Sequence, residues 1–181
     1  MTLKKLKPVS VAIFIILILI YVVTESYNSE GQKTDESTIR VEKIYDGDTI
    51  GVKIKNRSEK VRLIGIDAPE IGQGPWGLKS KKYLQELISS SSWRVIIEYD
   101  VERRDKYDRI LGYIRTPDGK MLNEEMLKNG YAVLFTYPPN VKHVDEVRAA
   151  EKDARDKMLG IWGMNGLKQR PYNYRKDHPR R

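Results

Sequence analysis

Apolar residues alternate with polar ones in short runs through the middle of the chain, a spacing typical of strands with one buried face. Five strands are predicted, one beginning near Ile39 and the others over residues 50–54, 61–66, 93–99 and 110–114. Turn residues separate these runs, such as Asp46-Gly47 before the second strand. The pattern predicts a domain built mainly from short strands.

Helical spacing of apolar residues appears in three further segments, 78–89, 121–129 and 144–159. Gly130 and Gly160 follow the second and third segments, where glycine is favoured as a helix terminator. A helix between the third and fourth of five short strands is typical of a small Greek-key barrel. We therefore predict a mainly β fold with α, a five-stranded OB-fold Greek-key barrel with three helices.

The N-terminal segment has the pattern of an export signal or a membrane anchor. Three lysines precede an apolar run from Val9 to Val23, which is shorter than the ~20 residues of an ordinary spanning helix. The absence of an Ala-x-Ala site favours an uncleaved anchor, whereas Thr24-Glu25-Ser26 would serve as a weak cleavage site and favours secretion. Either way the lysines are expected to stay cytoplasmic and the remainder to be exported.

Composition suggests four parts of the chain: a signal or anchor over 1–26, a flexible linker over 27–37, the barrel domain over 38–163 and a basic tail over 164–181. The net charge is +8, and the tail carries six basic residues and one acidic residue. Such a tail could bind phosphates or anionic lipid, or it could be a solvated end. It is polar and contains Pro171 and Pro179, so we expect it to be loosely ordered.

Two residue counts limit the chemistry. The chain has no cysteine, which excludes thiolate metal sites, disulfides and cysteine nucleophiles. It has two histidines, His143 and His178, which disfavours zinc hydrolases built on several histidines.

The segment from Val61 to Glu70 contains an unusual density of charge in an apolar run. Charged groups in a buried strand are costly unless they are paired or coordinate a metal. Arg62, Asp67 and Glu70 lie in this segment, Asp48 belongs to an acidic turn upstream, and Arg109 ends a charge-dense turn downstream. Acids and arginines together are the groups that metal-assisted phosphate chemistry needs.

Taken together, these segments resemble the thermonuclease family, the staphylococcal-nuclease-like calcium-dependent nucleases. The resemblance covers roughly residues 39–162 and keeps the family's order of motifs. The matching pieces are Asp46-Gly47-Asp48-Thr49, Arg62–Glu70, Asp105-Lys106-Tyr107-Asp108-Arg109, Asn123-Glu124, Gly130-Tyr131-Ala132 and Leu159-Gly160-Ile161-Trp162.

The resemblance implies an OB barrel that cleaves phosphodiester bonds in DNA and RNA with Ca²⁺. Asp48 and Asp67 would be carboxylate ligands of Ca²⁺, and Ala68 would give a main-chain carbonyl. Glu70 matches the residue proposed to activate the attacking water, and Arg62 and Arg109 match the arginines that grip the scissile phosphate.

The resemblance gives three further residues a role in substrate binding. Lys106 and Tyr107 match residues near the neighbouring phosphate, and Tyr137 matches a base-stacking tyrosine. Asp108 stands where the family's best-known member has glycine. Aspartate tolerates left-handed backbone better than most residues, so the turn is expected to survive. Its charge could loosen the phosphate grip of the neighbouring Arg109.

The resulting hypothesis is an exported nuclease with nucleic-acid substrates, attached to the membrane by its N-terminal segment or secreted, and acting as a monomer without a protein partner. One alternative is a non-catalytic OB module that binds nucleic acid or protein. Another is a cell-surface protein whose basic tail is the working part.

Overall fold

The chain divides into two units between Ser37 and Thr38, and everything described below belongs to the second. The computed structural model describes residues 38–179 and, apart from these, Ile18. The expected anchor or signal and the linker therefore lie outside the described residues. Within the described part, no helix is both long and apolar enough to cross a membrane.

Five strands form a closed barrel: β1 (Ile39–Ile44), β2 (Thr49–Ile54), β3 (Arg57–Leu63), β5 (Arg94–Glu98) and β6 (Ile110–Arg115). Their order is β1-β2-β3-β6-β5, and β5 returns to pair with β1. Strands β3 and β6 are parallel, and the other neighbouring pairs are antiparallel. The expected five-stranded OB-type barrel is thus confirmed.

The third predicted strand is not continuous, and this break shapes the site. β3 ends at Leu63, and a separate strand β4 (Gly65–Asp67) leaves the barrel to pair with β7 (Val133–Phe135). Gly65 has a φ of +79°, a backbone conformation that favours glycine, so the chain changes direction there. The sequence pattern missed both the break and β7, because Val61 to Ile66 is apolar enough to be read as one strand.

Four helices lie in the described part, one more than expected. They are α1 (Trp76–Ser90), α2 (Leu122–Lys128), α3 (Val144–Asp156) and α4 (Pro171–Asp177), and a short 3-10 helix covers Gly160–Trp162. The first three agree with the predicted segments, although α3 ends before Leu159. The additional helix, α4, lies in the tail that we expected to be loosely ordered. It begins with Pro171, whose fixed φ suits the first helical position.

The core fills the barrel and extends under α1, α2 and α3. The predicted apolar faces are buried at Ile50 and Val52 on β2, and at Leu84 and Ile88 on α1. On α3 the expected stripe is buried at its centre, whereas Met158 beyond the helix end is 59% exposed. Asp48, Asp67 and Asn123 are among the buried polar residues, and they belong to the site described below.

Glu98, at the end of β5, links the neighbouring barrel strand β6 and the segment before α3. One carboxylate oxygen accepts a hydrogen bond from Arg115 Nε on β6 at 2.8 Å. The other contacts Lys142 Nζ at 2.7 Å and His143 Nε2 at 2.8 Å, just before α3. Burial alone raises the pKa of Glu98, but the hydrogen bonds from Lys142, His143 and Arg115 outweigh burial and lower it to about 2.

We expect Glu98→Gln to lower the free energy of unfolding at pH 7 by roughly 1–2 kcal/mol, since the charged partners lose their anion. The folded-state pKa of Glu98 is depressed, so its contribution exists above pH 4.5 and is lost as the pH falls toward 2. Urea unfolding of both proteins at several pH values between 3 and 7 would show the difference shrinking with acid. A difference independent of pH would contradict this account.

Candidate active site at the β3–β4 break

The side chains of Asp48, Asp67 and Glu70, here called the acidic cluster, are linked through arginine side chains where β3 gives way to β4. Asp67 ends β4 and its side chain is 1% exposed, whereas Asp48 lies at the start of β2 and is 6% exposed as a residue. Glu70 follows on the loop toward α1 and its side chain is 19% exposed. The acidic cluster therefore joins the barrel to the loop that leaves β4.

Gly47 allows Asp48 to approach the loop after β4. A Cβ at position 47 would lie 2.7 Å from the Cβ atoms of both Ala68 and Ser80, which is too close for any side chain. With glycine there, Asp48 Oδ2 accepts a hydrogen bond from the Ala68 amide at 2.8 Å, and Oδ1 accepts one from Thr49 Oγ1 at 3.0 Å. The Asp-Gly-Asp turn is thus part of the site.

Arg62 lies between the two aspartates. Its Nη2 is 3.1 Å from Asp48 Oδ2 and 3.4 Å from Asp67 Oδ1. The same guanidinium donates to the carbonyls of Leu63, at 2.6 Å, and Ile66. Arg62 is therefore held at the β3–β4 break by ion pairs with two aspartates and by hydrogen bonds to two main-chain carbonyls. The two carboxylates face one cationic group.

A second arginine in the cluster was not among the candidates from sequence. Arg175 of α4 donates from Nη1 to Asp67 Oδ1 at 2.9 Å and from Nη2 to Asp67 Oδ2 at 3.0 Å. Its Nη1 also donates to Glu70 Oε1 at 3.0 Å. The expected tail contained this arginine, but a cationic residue in a polar tail carries no signal for its contact 108 residues away.

Burial and neighbouring charges shift the pKa values of groups in and around the acidic cluster. Burial raises the pKa of Asp67, against the opposing hydrogen bonds and charges of Arg175 and Arg62. Burial and the neighbouring Asp48 charge raise the pKa of Asp46 to about 6. Burial on its own lowers the pKa of Arg175, but its bonds to Asp67 and Glu70 outweigh that and raise it. Strong perturbation at one place is a common property of functional sites.

The acidic cluster suits a hard cation. Asp48 and Asp67 offer carboxylate oxygens, the ligand type that Ca²⁺ prefers, and guanidinium groups already lie against both. Over residues 38–179, no three acidic or histidine side chains form a metal-binding group by themselves. Further ligands would come from the main chain, for which Ala68 was predicted, and from water. The Ala68 amide contacts Asp48, and the role of its carbonyl stays a prediction.

Arg109, Lys106 and Tyr107 form a second group at the start of β6. Asp105 holds this turn: it accepts from the Arg109 amide at 3.0 Å and from Arg109 Nε at 2.8 Å. Lys106 Nζ and the Arg109 guanidinium lie 5.1 and 5.6 Å from the centre of the Tyr107 ring. The β3–β6 register aligns Ile110 with Val61 and Leu111 with Arg62, so Arg109 directly precedes the strand that lies beside Arg62.

Asp108 adopts the left-handed backbone expected of it, with φ +61°. Its carboxylate lies 3.2 Å from Arg104 Nη1, and its carbonyl accepts from the same nitrogen at 2.7 Å. Arg109 pairs with Asp105 instead. The extra charge at position 108 is therefore paired with Arg104 at an exposed position, and its effect on Arg109 stays a prediction.

Tyr137 lies apart from the residues above. It is 71% exposed, two residues beyond β7. The antiparallel β4–β7 pairing places Val133 opposite Asp67 and Phe135 opposite Gly65, so the chain reaches Tyr137 at the end of the pair away from Asp67. Its predicted stacking role stays a prediction.

Asn123 of α2 holds the chain in place at the break between β3 and β4. It is fully buried, its Nδ2 donates to the Ile64 carbonyl at 2.7 Å, and its Oδ1 accepts from the Ile114 amide at 2.8 Å. Ile64 is the residue between β3 and β4, so Asn123 fixes the direction of β4 and of Asp67. Asn123 belonged to a motif noted in the sequence, but no role was assigned to it.

These features define the class of protein: an OB-type barrel with buried carboxylates and arginines at one strand end. The family described as "Staphylococcal nuclease homologue" matches residues 60–164, more than half of the chain. The chain therefore belongs to this family, and the resemblance to the thermonucleases is confirmed.

Named relatives agree with this assignment. The thermonuclease of Staphylococcus intermedius is 34% identical over 169 residues, which cover 87% of this chain and 99% of that protein. Two proteins of Bacillus subtilis (strain 168), the SPbeta prophage-derived endonuclease YokF and the endonuclease YncB, are each 36% identical over 135 residues, or 71% of this chain. The matched region spans 45% of YokF and 63% of YncB.

We expect Asn123→Leu to destabilise the domain by about 2–5 kcal/mol, because the Ile64 carbonyl and the Ile114 amide would be left buried without their partner. Asn173→Leu, on the exposed face of α4, is the control and should change stability by less than about 0.5 kcal/mol. Urea unfolding measures both. A loss below 1 kcal/mol at Asn123 would show that the β3–β4 break is fixed by other contacts.

Proposed function

We propose that this protein is a calcium-dependent nuclease that hydrolyses phosphodiester bonds of DNA and RNA. The single observation that carries the proposal is the shared contact of Asp48 and Asp67 with one nitrogen of Arg62. Two buried carboxylates that face the same position, next to an arginine, combine a cation site with a phosphate-binding group. Family membership supports the same conclusion, since the relatives are named thermonucleases and endonucleases.

The residues of the site divide the chemistry among them. When bound by Asp48, Asp67 and the Ala68 carbonyl, Ca²⁺ would neutralise and orient the phosphate. Arg62 and Arg109 offer forked donors to the phosphate oxygens, where negative charge builds up during the reaction. Asp105 keeps the Arg109 guanidinium oriented through two side-chain contacts, at 2.8 Å to Nε and 2.7 Å to Nη2.

Glu70 is the proposed general base. It would take a proton from water as the water oxygen bonds to phosphorus and the bond to the leaving sugar oxygen breaks. Its side chain is partly accessible, unlike that of Asp67, so it can meet both water and substrate. Lys106 and Tyr107 would contact the neighbouring phosphate, and Tyr137 offers an exposed ring for base stacking.

We expect Glu70→Gln to lower the cleavage rate by roughly 10²-fold or more, because amide nitrogen and oxygen cannot accept the proton. Glu86→Gln on the exposed face of α1, the same chemical change, should leave the rate within about twofold. Cleavage of DNA and RNA is measured with Ca²⁺ and with EGTA, and circular dichroism checks folding. Glu70 is a better target than Arg62, whose contacts with two carbonyls make it part of the fold as well.

The outcomes separate the parts of the proposal. Full cleavage in EGTA would contradict calcium dependence, and full cleavage by Glu70→Gln would remove the general base. Binding of single-stranded nucleic acid without cleavage under any condition would favour the non-catalytic OB module.

We further propose that the protein is exported and held at the membrane by residues 1–26, working as a monomer. The support is the lysine-flanked apolar run and the missing cleavage motif in the sequence. The barrel closes on itself without a second chain, which is compatible with a monomer.

Expressed in a bacterium, the full chain is expected to sediment with membranes and to keep its N-terminus, because the apolar run remains attached. A version starting at residue 38 is the control and should stay in the supernatant. Mass spectrometry of the intact protein identifies the residue at which the mature chain begins. A mature chain beginning near residue 27 in the culture medium would show secretion instead of anchoring.

A further inference from the structure

The C-terminal segment, residues 164–179, lies against the loop between β4 and α1, which carries Glu70 of the acidic cluster. Trp76 Nε1, at the start of α1, donates to the Asn165 carbonyl at 3.1 Å, and Gln73 Nε2 donates to the Gln169 carbonyl at 2.9 Å. A Cβ at Gly72 would lie 2.6 Å from the hydroxyl of Tyr174. The loop and the start of α1 therefore contact the C-terminal segment at three positions.

A second surface holds the same helix from the β7 side. The rings of Tyr172 and Phe135 stack with their centres 6.2 Å apart, and Pro171 is buried. Phe135 belongs to β7, which pairs with β4. α4 thus contacts both neighbours of Asp67, the loop after β4 and the strand beside it.

Arg175 projects from α4 into the acidic cluster and occupies the oxygens on which the proposed chemistry depends. Both carboxylate oxygens of Asp67 accept from its fork, at 2.9 and 3.0 Å, and Glu70 Oε1 accepts at 3.0 Å. Such bidentate, charge-assisted contacts are among the stronger hydrogen bonds in proteins. A cation that coordinates Asp67 would compete with this guanidinium for the same two oxygens, and Glu70 is engaged as long as the contact lasts.

We propose that the C-terminal segment is a built-in competitor of the metal, with the Arg175 guanidinium occupying the Asp67 oxygens that the cation would use and contacting Glu70 beside them. The docked state is an inhibited one, and Ca²⁺ and the docked Arg175 exclude one another at Asp67. This inference rests on the proposed function, because it needs a cation that binds there.

The charge of the C-terminal segment favours binding to a polyanion after release. Together with the two arginines that follow it in the sequence, residues 164–181 carry six basic residues and one acidic residue, so the freed segment would be attracted to a polyanion such as the substrate. Nucleic acid and Ca²⁺ would then favour the same open state, one by binding the basic segment and the other by binding Asp67. The enzyme would be held inactive until both are present.

Reciprocity makes the competition measurable without any cleavage assay. If docking opposes Ca²⁺ binding, Ca²⁺ must oppose docking by the same factor. Removing Arg175 is expected to tighten Ca²⁺ binding by about 5- to 150-fold, the ordinary range of coupling between sites. Saturating Ca²⁺ should release the C-terminal segment of the unmodified chain.

The experiment measures Ca²⁺ affinity by calorimetry for the full chain and for Arg175→Gln, Arg175→Lys and Lys176→Gln. Lys176→Gln is the matched control, since it removes the same charge from the same turn of α4, where Lys176 lies over the Tyr172 ring. Arg175→Lys keeps the charge without the fork and should give an intermediate affinity. Circular dichroism and thermal unfolding check that each variant is folded.

Release of the segment is followed with a spin label. Because the chain has no cysteine, Asn173→Cys on the exposed side of α4 provides a single attachment site. The label is expected to be immobilised without Ca²⁺ and mobile with it, and mobile in both conditions when Arg175→Gln is added. At limiting Ca²⁺ the Arg175→Gln enzyme should also cleave DNA faster, with equal rates at saturation.

Three results would overturn the proposal, and they are distinguishable. Ca²⁺ that binds equally to the unmodified chain and to Arg175→Gln, with an unchanged label spectrum, removes the competition while the nuclease assignment stands. Slower cleavage by Arg175→Gln at unchanged affinity makes Arg175 a substrate contact. Neither Ca²⁺ binding nor cleavage in any variant removes the inference together with the proposed function.

Discussion

The buried carboxylate of Asp67 is the constraint on which the rest of the site depends. An ionised carboxylate removed from water must be paired, because its desolvation costs several kcal/mol. The protein surrounds it with Arg62 from β3 and Arg175 from α4, and places Asp48 against the same Arg62 nitrogen. Breaking such a buried pair typically costs about 3–5 kcal/mol, so these residues position one another.

The need to pair the buried Asp67 carboxylate explains the unusual backbone around that residue. β3 ends at Leu63 so that β4 can leave the barrel, and the carbonyls of Leu63 and Ile66 then accept from the Arg62 guanidinium. Asn123 supports the break at Ile64 from the side of α2. Gly47 lets the turn before β2 press against Ala68. Each of these local departures from regular structure brings a charge or a donor to Asp67.

In the competition that we propose, the carboxylate of Asp67 would bind two cations in turn. A guanidinium and a hard metal ion both bind carboxylate oxygens, but the arginine is tethered to the chain and so acts at a high effective concentration. The docked C-terminal segment would then compete with a dissolved ion without any separate regulatory domain. The barrel holds the acidic cluster, and α4 carries the arginine that contacts Asp67.

Much of the fold could be predicted from sequence, because alternation, helical spacing and turn residues are local properties. The five barrel strands and the first three helices follow from them, as do Asp48, Arg62, Asp67 and Glu70 as candidates, since charges in an apolar run must be explained. The left-handed backbone of Asp108 was also expected from the residue type.

The break at Ile64, strand β7 and the helix α4 were decided by tertiary contacts instead. The break depends on Asn123 and the β4–β7 pairing, which come from distant parts of the chain. The docking of the tail includes the contact of Arg175 with Asp67, which lies 108 residues earlier. Sequence identified Asp48, Arg62, Asp67 and Glu70 as charged groups of the site, because residue type and local spacing point to them, but it did not identify Arg175. The tertiary structure decided which charge faces which, because ion pairs act through space and not along the chain.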